Sequence, residues 1–243
     1  MTQRHTRQVG PVKFSDTIAP VDDRTREMAL RCYGYGRWEA PYWFIGPEQG
    51  QGNETLECRV EAWTALGAKD LCDCREFSER ICDDRWHRPN PKPQNTWMPL
   101  ICLLMGFLGR STNKESLIAY QRDRWGMLDN GETCVIELLG LPAKSLKTPR
   151  DRKTFRAERI DVIRDKIRVH RPKLVVMYGK SHKNSWDQIA LPRAFSEDNV
   201  IVCDEGTILF YARHPTNGGP ARHWWEDRGK MLRETSQTHF TQF

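Results

Sequence analysis

Four short runs of nearly continuous hydrophobicity punctuate the chain, at 42–45, 134–138, 174–178 and 208–212. Each is rich in β-branched, aromatic or aliphatic residues and lacks polar alternation, as strands buried on both faces do. A shorter run at 201–203, before a turn at 204–206, is a candidate for a further strand. Between these runs the pattern takes on helical spacing. Asn53 is placed to cap a helix with Glu54 in its first turn and Leu56, Val60, Trp63 and Leu66 on one apolar face. Residues 98–108 (MPLICLLMGFL) predict a second helix, buried all round. Residues 155–169 predict a third, with Ile160, Ile163 and Ile167 turned inward and the arginines outward. A fourth, after Gly179, carries Trp186 and Ile189. Strands alternating with helices predict an α/β fold, a three-layer α/β/α sandwich around a central four-stranded, mainly parallel sheet. Residues 1–20 are polar and aperiodic, which predicts a mobile N-terminal arm. No linker divides 21–243, so a single α/β domain is expected there.

Composition adds little to the fold and more to the partners. The 243 residues carry a formal charge of +6, with 38% hydrophobic and 29% charged side chains, which suits a soluble chain with a real core. The charge is uneven. Residues 147–173, including Arg150 and Lys153, hold eleven basic against four acidic side chains, a net +7. Such a stripe attracts polyanions, nucleic acid first, or else is a solvated helix face. The eight cysteines are scattered and the N-terminus has no signal-peptide core, so free thiols and a cytoplasmic location are expected. Cys72, Cys74, Cys82 and His87 match no usual zinc spacing, and neither metal nor cofactor is expected. The apolar run at 98–109 is well short of the ~20 residues that span a bilayer, so no membrane association is expected.

In open α/β sheets ligands bind beyond the carboxyl ends of the strands. Those ends are 46–52, the segment from Glu137, 179–182 and 213–219. The first, GPEQGQG, is neither a Walker loop nor a dinucleotide fingerprint. No Lys-Ser/Thr follows it, and its only charge, Glu48, would repel phosphate. A plain turn would need the glycines but not the acid.

Two of these ends carry a family likeness. Gly46-Pro47-Glu48-Gln49-Gly50 and His214-Pro215-Thr216 resemble the two signature motifs of the uracil-DNA glycosylase superfamily. Between them, residues 171–180 (RPKLVVMYGK) resemble its third strand and the Gly-Lys turn that follows. The likeness implies an α/β/α fold and a monomeric enzyme that flips a base out of DNA and hydrolyses its N-glycosidic bond. The chemistry suits the residues. Glycosidic cleavage builds positive charge on the sugar, which Glu48 can stabilise while orienting water, and negative charge on the base, which a donor at His214 can stabilise. Taken singly, Glu48 reads equally as a loop acid capping the next helix, and His214 as a buried histidine bonded to backbone. The likeness assigns Gly46, Pro47, Gln49 and Glu137 to the base. It assigns Gly50, Lys180, Ser181, Thr216, Asn217 and Gly218 to the DNA, together with Arg150 and Lys153 of the stripe.

The departures from the family pattern carry the substrate expectation. Uracil-excising members usually read the base with Asn where this chain has Glu137. An ionised carboxylate accepts from the exocyclic amine of cytosine and repels the carbonyl of uracil. A modified, cytosine-derived base is therefore expected, with a role in anti-phage defence as an extension. The alternatives are that Glu137 faces away and pairs with an arginine, that the enzyme excises uracil, or that the fold binds DNA without cutting it. The 216–219 loop (TNGG) replaces the usual apolar wedge. Trp224 or Trp225 then stacks on a base or belongs to the core. Residues 94–97 (QNTW) present amides to the DNA or simply cap a helix, with Thr96 as the cap. Nine tryptophans offer walls for a roomy pocket, or packing.

Overall fold

The computed structural model describes residues 22–48, 50, 54–142, 149–196, 199–203, 206–216 and 220–240, the side chains of 149–154 and 240 excepted. The expected N-terminal arm and Asn53 lie outside these residues. Among them, seven strands form one mixed sheet: β1 (Gly34–Gly36), β2 (Tyr42–Glu48), β3 (Leu71–Cys72), β4 (Thr133–Leu139), β5 (Leu174–Tyr178), β6 (Val200–Val202) and β7 (Ile208–Ala212). Their order is β3-β1-β4-β2-β5-β7-β6. The four hydrophobic runs are the middle strands β4, β2, β5 and β7, all parallel. The expectation of four strands falls short because three short strands extend the edges. β6 runs antiparallel to β7. β1 runs antiparallel to β4 and parallel to β3. β1 is Gly-Tyr-Gly and has no apolar run to betray it. A Cβ on Gly34 or Gly36 would strike the carbonyl oxygen of Val135 or Thr133, so the glycines let β1 press against β4.

Side chains of the central strands alternate between two cores. Phe44, Val135, Val176 and Phe210 face one way, and Trp43, Ile136, Val175, Met177 and Leu209 the other. The first face is covered by α1 (Asp23–Arg31), α2 (Leu56–Ala65), α3 (Cys74–Arg80), α4 (Trp97–Leu108), α5 (Lys114–Asp123) and α8 (Arg222–Phe240). The second is covered by α6 (Pro149–His170) and α7 (Lys183–Ala190). Thr55 caps α2, its hydroxyl accepting from the Cys58 amide at 3.2 Å. The greasy run is α4, with every residue from 100 to 107 buried. It packs against α8 at a glycine crossing, where Gly106 and Gly229 bring the two backbones together. A Cβ on Gly229 would overlap the carbonyl oxygen of Leu103.

α6 holds the largest departure from the amphipathic pattern. Arg159 does not face solvent with the other arginines but is fully buried. Its guanidinium donates to the carbonyls of Leu138 (3.1 Å) and Glu137 (2.6 Å) on β4, and of Ala29 (3.1 Å) and Leu30 (3.2 Å) in the last turn of α1. It also lies 4.1 Å from the Tyr33 ring centre. The physical reason is demand. The last carbonyls of a helix and those at a strand end have no partners of their own, and one planar five-donor group serves four of them. Burial pushes the Arg159 pKa down to about 10, which leaves it charged at neutral pH.

Both features have a measurable cost on removal. Gly229→Ala should destabilise the fold by about 1–3 kcal/mol in urea denaturation, because the α4–α8 crossing cannot admit a methyl group. Arg159→Met strips donors from four carbonyls, at ~1–3 kcal/mol for each one left unsatisfied. It should cost far more than Arg168→Met, whose residue is on the surface beside Asp165.

Candidate active site

The parallel arrangement brings the carboxyl ends of β4, β2, β5 and β7 to one edge of the sheet. A cleft of about 970 Å3 opens there. Of the residues expected from sequence, Pro47, Glu48, Gly50, Glu137, Lys180, Ser181, His214 and Thr216 all line it. Gly46 lies beneath. A Cβ there would overlap the Tyr178 hydroxyl and approach Oε2 of Glu137 to 2.8 Å, so glycine is what lets both groups close over β2. Gln49, Asn217 and Gly218 lie outside the described residues, as do the side chains of Arg150 and Lys153.

Strand register sets the acids. Gly46 pairs with Glu137 and Glu48 with Leu139, so the two carboxyl groups come from neighbouring strands, Glu137 deeper and Glu48 half-buried at the end of β2. Glu137 is 7% exposed, and its Oε2 has no hydrogen-bond partner among the described residues. The arginine alternative holds only for the backbone. Arg159 bonds the Glu137 carbonyl, while the side chain faces the cleft. Burial, with a contribution from the negative charge of Glu48, pushes the Glu137 carboxyl up to about 8 against the opposing pull of Arg159 and Arg59. This overturns the premise of an ionised Glu137. At neutral pH the group is largely a carboxylic acid with one donor and one acceptor, and charge repulsion of a uracil carbonyl no longer follows.

His214 follows β7 and its ring meets that of Tyr178 edge-on at 5.5 Å. The Thr216 amide donates to Nδ1 at 3.3 Å, and the Thr216 hydroxyl lies 3.0 Å from the same atom. An Nδ1 that accepts from an amide carries no proton, so in the neutral ring the proton sits on Nε2. Burial lowers the His214 pKa, which keeps the ring neutral at pH 7. The imidazole is thereby a single N–H donor, the state suited to a developing anion. The backbone bond offered as an alternative to catalysis is present, and it serves to orient the ring.

The cleft also holds groups beyond the expected site residues, some of them inside the segments 94–97, 179–182 and 213–219 that the sequence singles out. Arg59 of α2 is 3% exposed, ion-paired with Glu54 and hydrogen-bonded to Tyr35. Trp86 and Trp97 stand half-buried in the opposite wall, their ring centres 6.4 Å apart. Gln94 caps α4, its Oε1 accepting from the Thr96 and Trp97 amides at 2.5 and 2.7 Å, and it lines the cleft. Thr96, the cap expected from sequence, makes no side-chain cap bond. His182, Arg85 and Arg213 complete the rim beside Lys180. The only advance signal for Arg213 was its place beside His214. Tyr35, Arg59 and Trp86 gave none, because they come from elements far away in the chain.

Other expectations are relocated. Trp225 is fully buried and Trp224 packs on Phe210, so both belong to the core behind the sheet. On α6, Arg159 is buried, Arg164 and Arg168 pair with Asp161 and Asp165, and Lys166 sits 5.0 Å from the ring centre of Trp38. Much of the described part of the stripe is thus already engaged within the protein. All eight cysteines are free thiols, and among the described residues no three potential metal ligands cluster. Nor is any described helix long and apolar enough to cross a membrane.

No protein-family model matches the chain, and no curated protein matches it significantly.

Proposed function

We propose that the cleft accepts a nucleotide flipped out of DNA and hydrolyses its N-glycosidic bond, leaving an abasic site. The observation that carries this is the convergence of Glu48, Glu137 and a neutral, Nε2-protonated His214 on one cleft from three parallel strand ends. Glu48 stands for the sugar, stabilising the oxocarbenium-like charge and orienting water. His214 donates to the departing base. Lys180 and Arg213 on the rim meet the flanking phosphates, and Ser181 and Thr216 add neutral donors there. The cleft lies at the upper end of the ~300–1,000 Å3 typical of small-ligand sites, and Trp86, Trp97 and Gln94 extend it beyond what a plain pyrimidine needs. That space supports a base carrying a bulky substituent; that the base is cytosine-derived, and that the enzyme acts on foreign DNA, are parts of the same proposal.

The test is a panel of DNAs carrying uracil, thymine mispairs, hydroxymethylcytosine and glucosylated cytosine, scored by mass spectrometry for released base. Release from a modified-cytosine DNA is expected, with Glu48→Gln and His214→Ala each slowing it by about 10²–10³. Full activity in both variants would remove them from the chemistry. DNA binding should weaken with salt, and Lys180→Ala with Arg213→Ala should make the slope of log K against log salt shallower by about one for each phosphate no longer neutralised. An unchanged slope would place the phosphates elsewhere.

A further inference from the structure

Glu137 does more in this cleft than read a base edge. Its carboxyl group is buried, is aimed into the cleft, and has an oxygen without a partner among the described residues. The charged and titratable groups around it come from five elements. Glu48 on β2 adds negative charge, and Tyr178 on β5 and Tyr35 on β1 are phenols held neutral by burial. Arg59 on α2 is committed to Glu54 and Tyr35, and Arg159 on α6 to four backbone carbonyls. Neither guanidinium is spent on the Glu137 carboxyl. A buried carboxylate in that setting is strongly disfavoured, and the group holds its proton. Two carboxyl groups in one site, one deep and neutral and one at the edge, form the arrangement that divides acid from base in glycoside hydrolysis.

We propose that Glu137 is the general acid for this cleft, protonating the ring nitrogen N3 of a cytosine-type base as it leaves. The proposal rests on the base-excising function above and names its substrate class. Cytosine departs poorly as an anion, and a proton delivered at N3 removes that difficulty. The C1′–N1 bond breaks with its electron pair going to N1, while the Glu137 proton passes to N3 and the base leaves neutral. Water adds to C1′ and gives its proton to Glu48; Glu48 then releases that proton to solvent and Glu137 takes one up, which returns both groups to their starting states. The sum is DNA and water giving an abasic site and free base. The second carboxyl oxygen accepts from the exocyclic amine, so recognition and proton transfer use the same carboxyl group.

The experiment compares wild type with Glu137→Gln, which keeps the shape and a donor but has no transferable acid proton. Base release from hydroxymethylcytosine DNA should fall by about 10²–10⁴ in the variant. Wild-type release should decline above pH about 8, and the variant should lose that limb. The defect should shrink on formylcytosine, whose electron-poor ring leaves more readily. A readout independent of turnover accompanies these. Glu137 titrates higher in the folded than in the unfolded chain, so the folded state holds the extra proton between roughly pH 4.5 and 8 and loses relative stability as pH rises through that window. The melting temperature of the variant should therefore gain on wild type between about pH 5 and pH 9. Equal release and an equal pH profile in the two proteins would overturn the acid role alone, as would parallel melting curves across that range. Absence of release by wild type from every DNA in the panel would instead contradict the base-excising function, and the acid role with it.

Discussion

A carboxyl group buried without a bonded guanidinium is the constraint around which this cleft is organised. Position 137 on β4 faces two ways: its side chain opens to the cleft, and its carbonyl oxygen is held from behind by Arg159. Had the guanidinium reached the carboxyl group instead, the pair would have neutralised each other and left an ionised acid. It binds backbone on β4 and α1, so the strand end is fixed while the acid stays uncompensated. The charge of Glu48 then adds to burial in favouring the protonated form.

The rest of the site is arranged to keep that acid accessible. Gly46 has no side chain, so the Tyr178 hydroxyl and the Glu137 carboxyl close directly over β2. Tyr178 in turn meets the edge of His214, whose proton is placed on Nε2 by the Thr216 amide. These contacts run across neighbouring strand ends, from Glu137 on β4 over Gly46 on β2 to Tyr178 on β5 and His214 after β7. This is possible because four parallel strands end together. Precision of this kind is easier to hold on strand ends than on free loops.

The sequence revealed the parts of the fold that depend on local burial. The middle strands are doubly buried and so appear as unbroken apolar runs, and α4 does the same for helices. β1 was hidden because its fit to β4 depends on absent side chains, and β3 has only two residues. α8 was hidden because, among its described side chains, only Trp225, Gly229 and Leu232 are buried, too sparse a stripe to read. At the site, residues on strand ends were legible because topology assigns them one edge. The protonation state of Glu137 was not, since it depends on where Arg59 and Arg159 direct their donors. Residue type suggested an ionised acceptor, and tertiary packing reverses that. Trp86 and Arg59 arrive from a turn and a helix whose placement no local pattern encodes.

The most direct measurement is a crystal structure with DNA carrying a 2′-fluorinated cytidine-type nucleotide, whose fluorine discourages positive charge at C1′ and so preserves the bound substrate. The account predicts a nucleotide turned out of the helix, its base edge on the Glu137 carboxyl, His214 Nε2 on the base oxygen and Glu48 beside C1′. A base still stacked in its strand, or a flipped base seated away from Glu137 and His214, would contradict it.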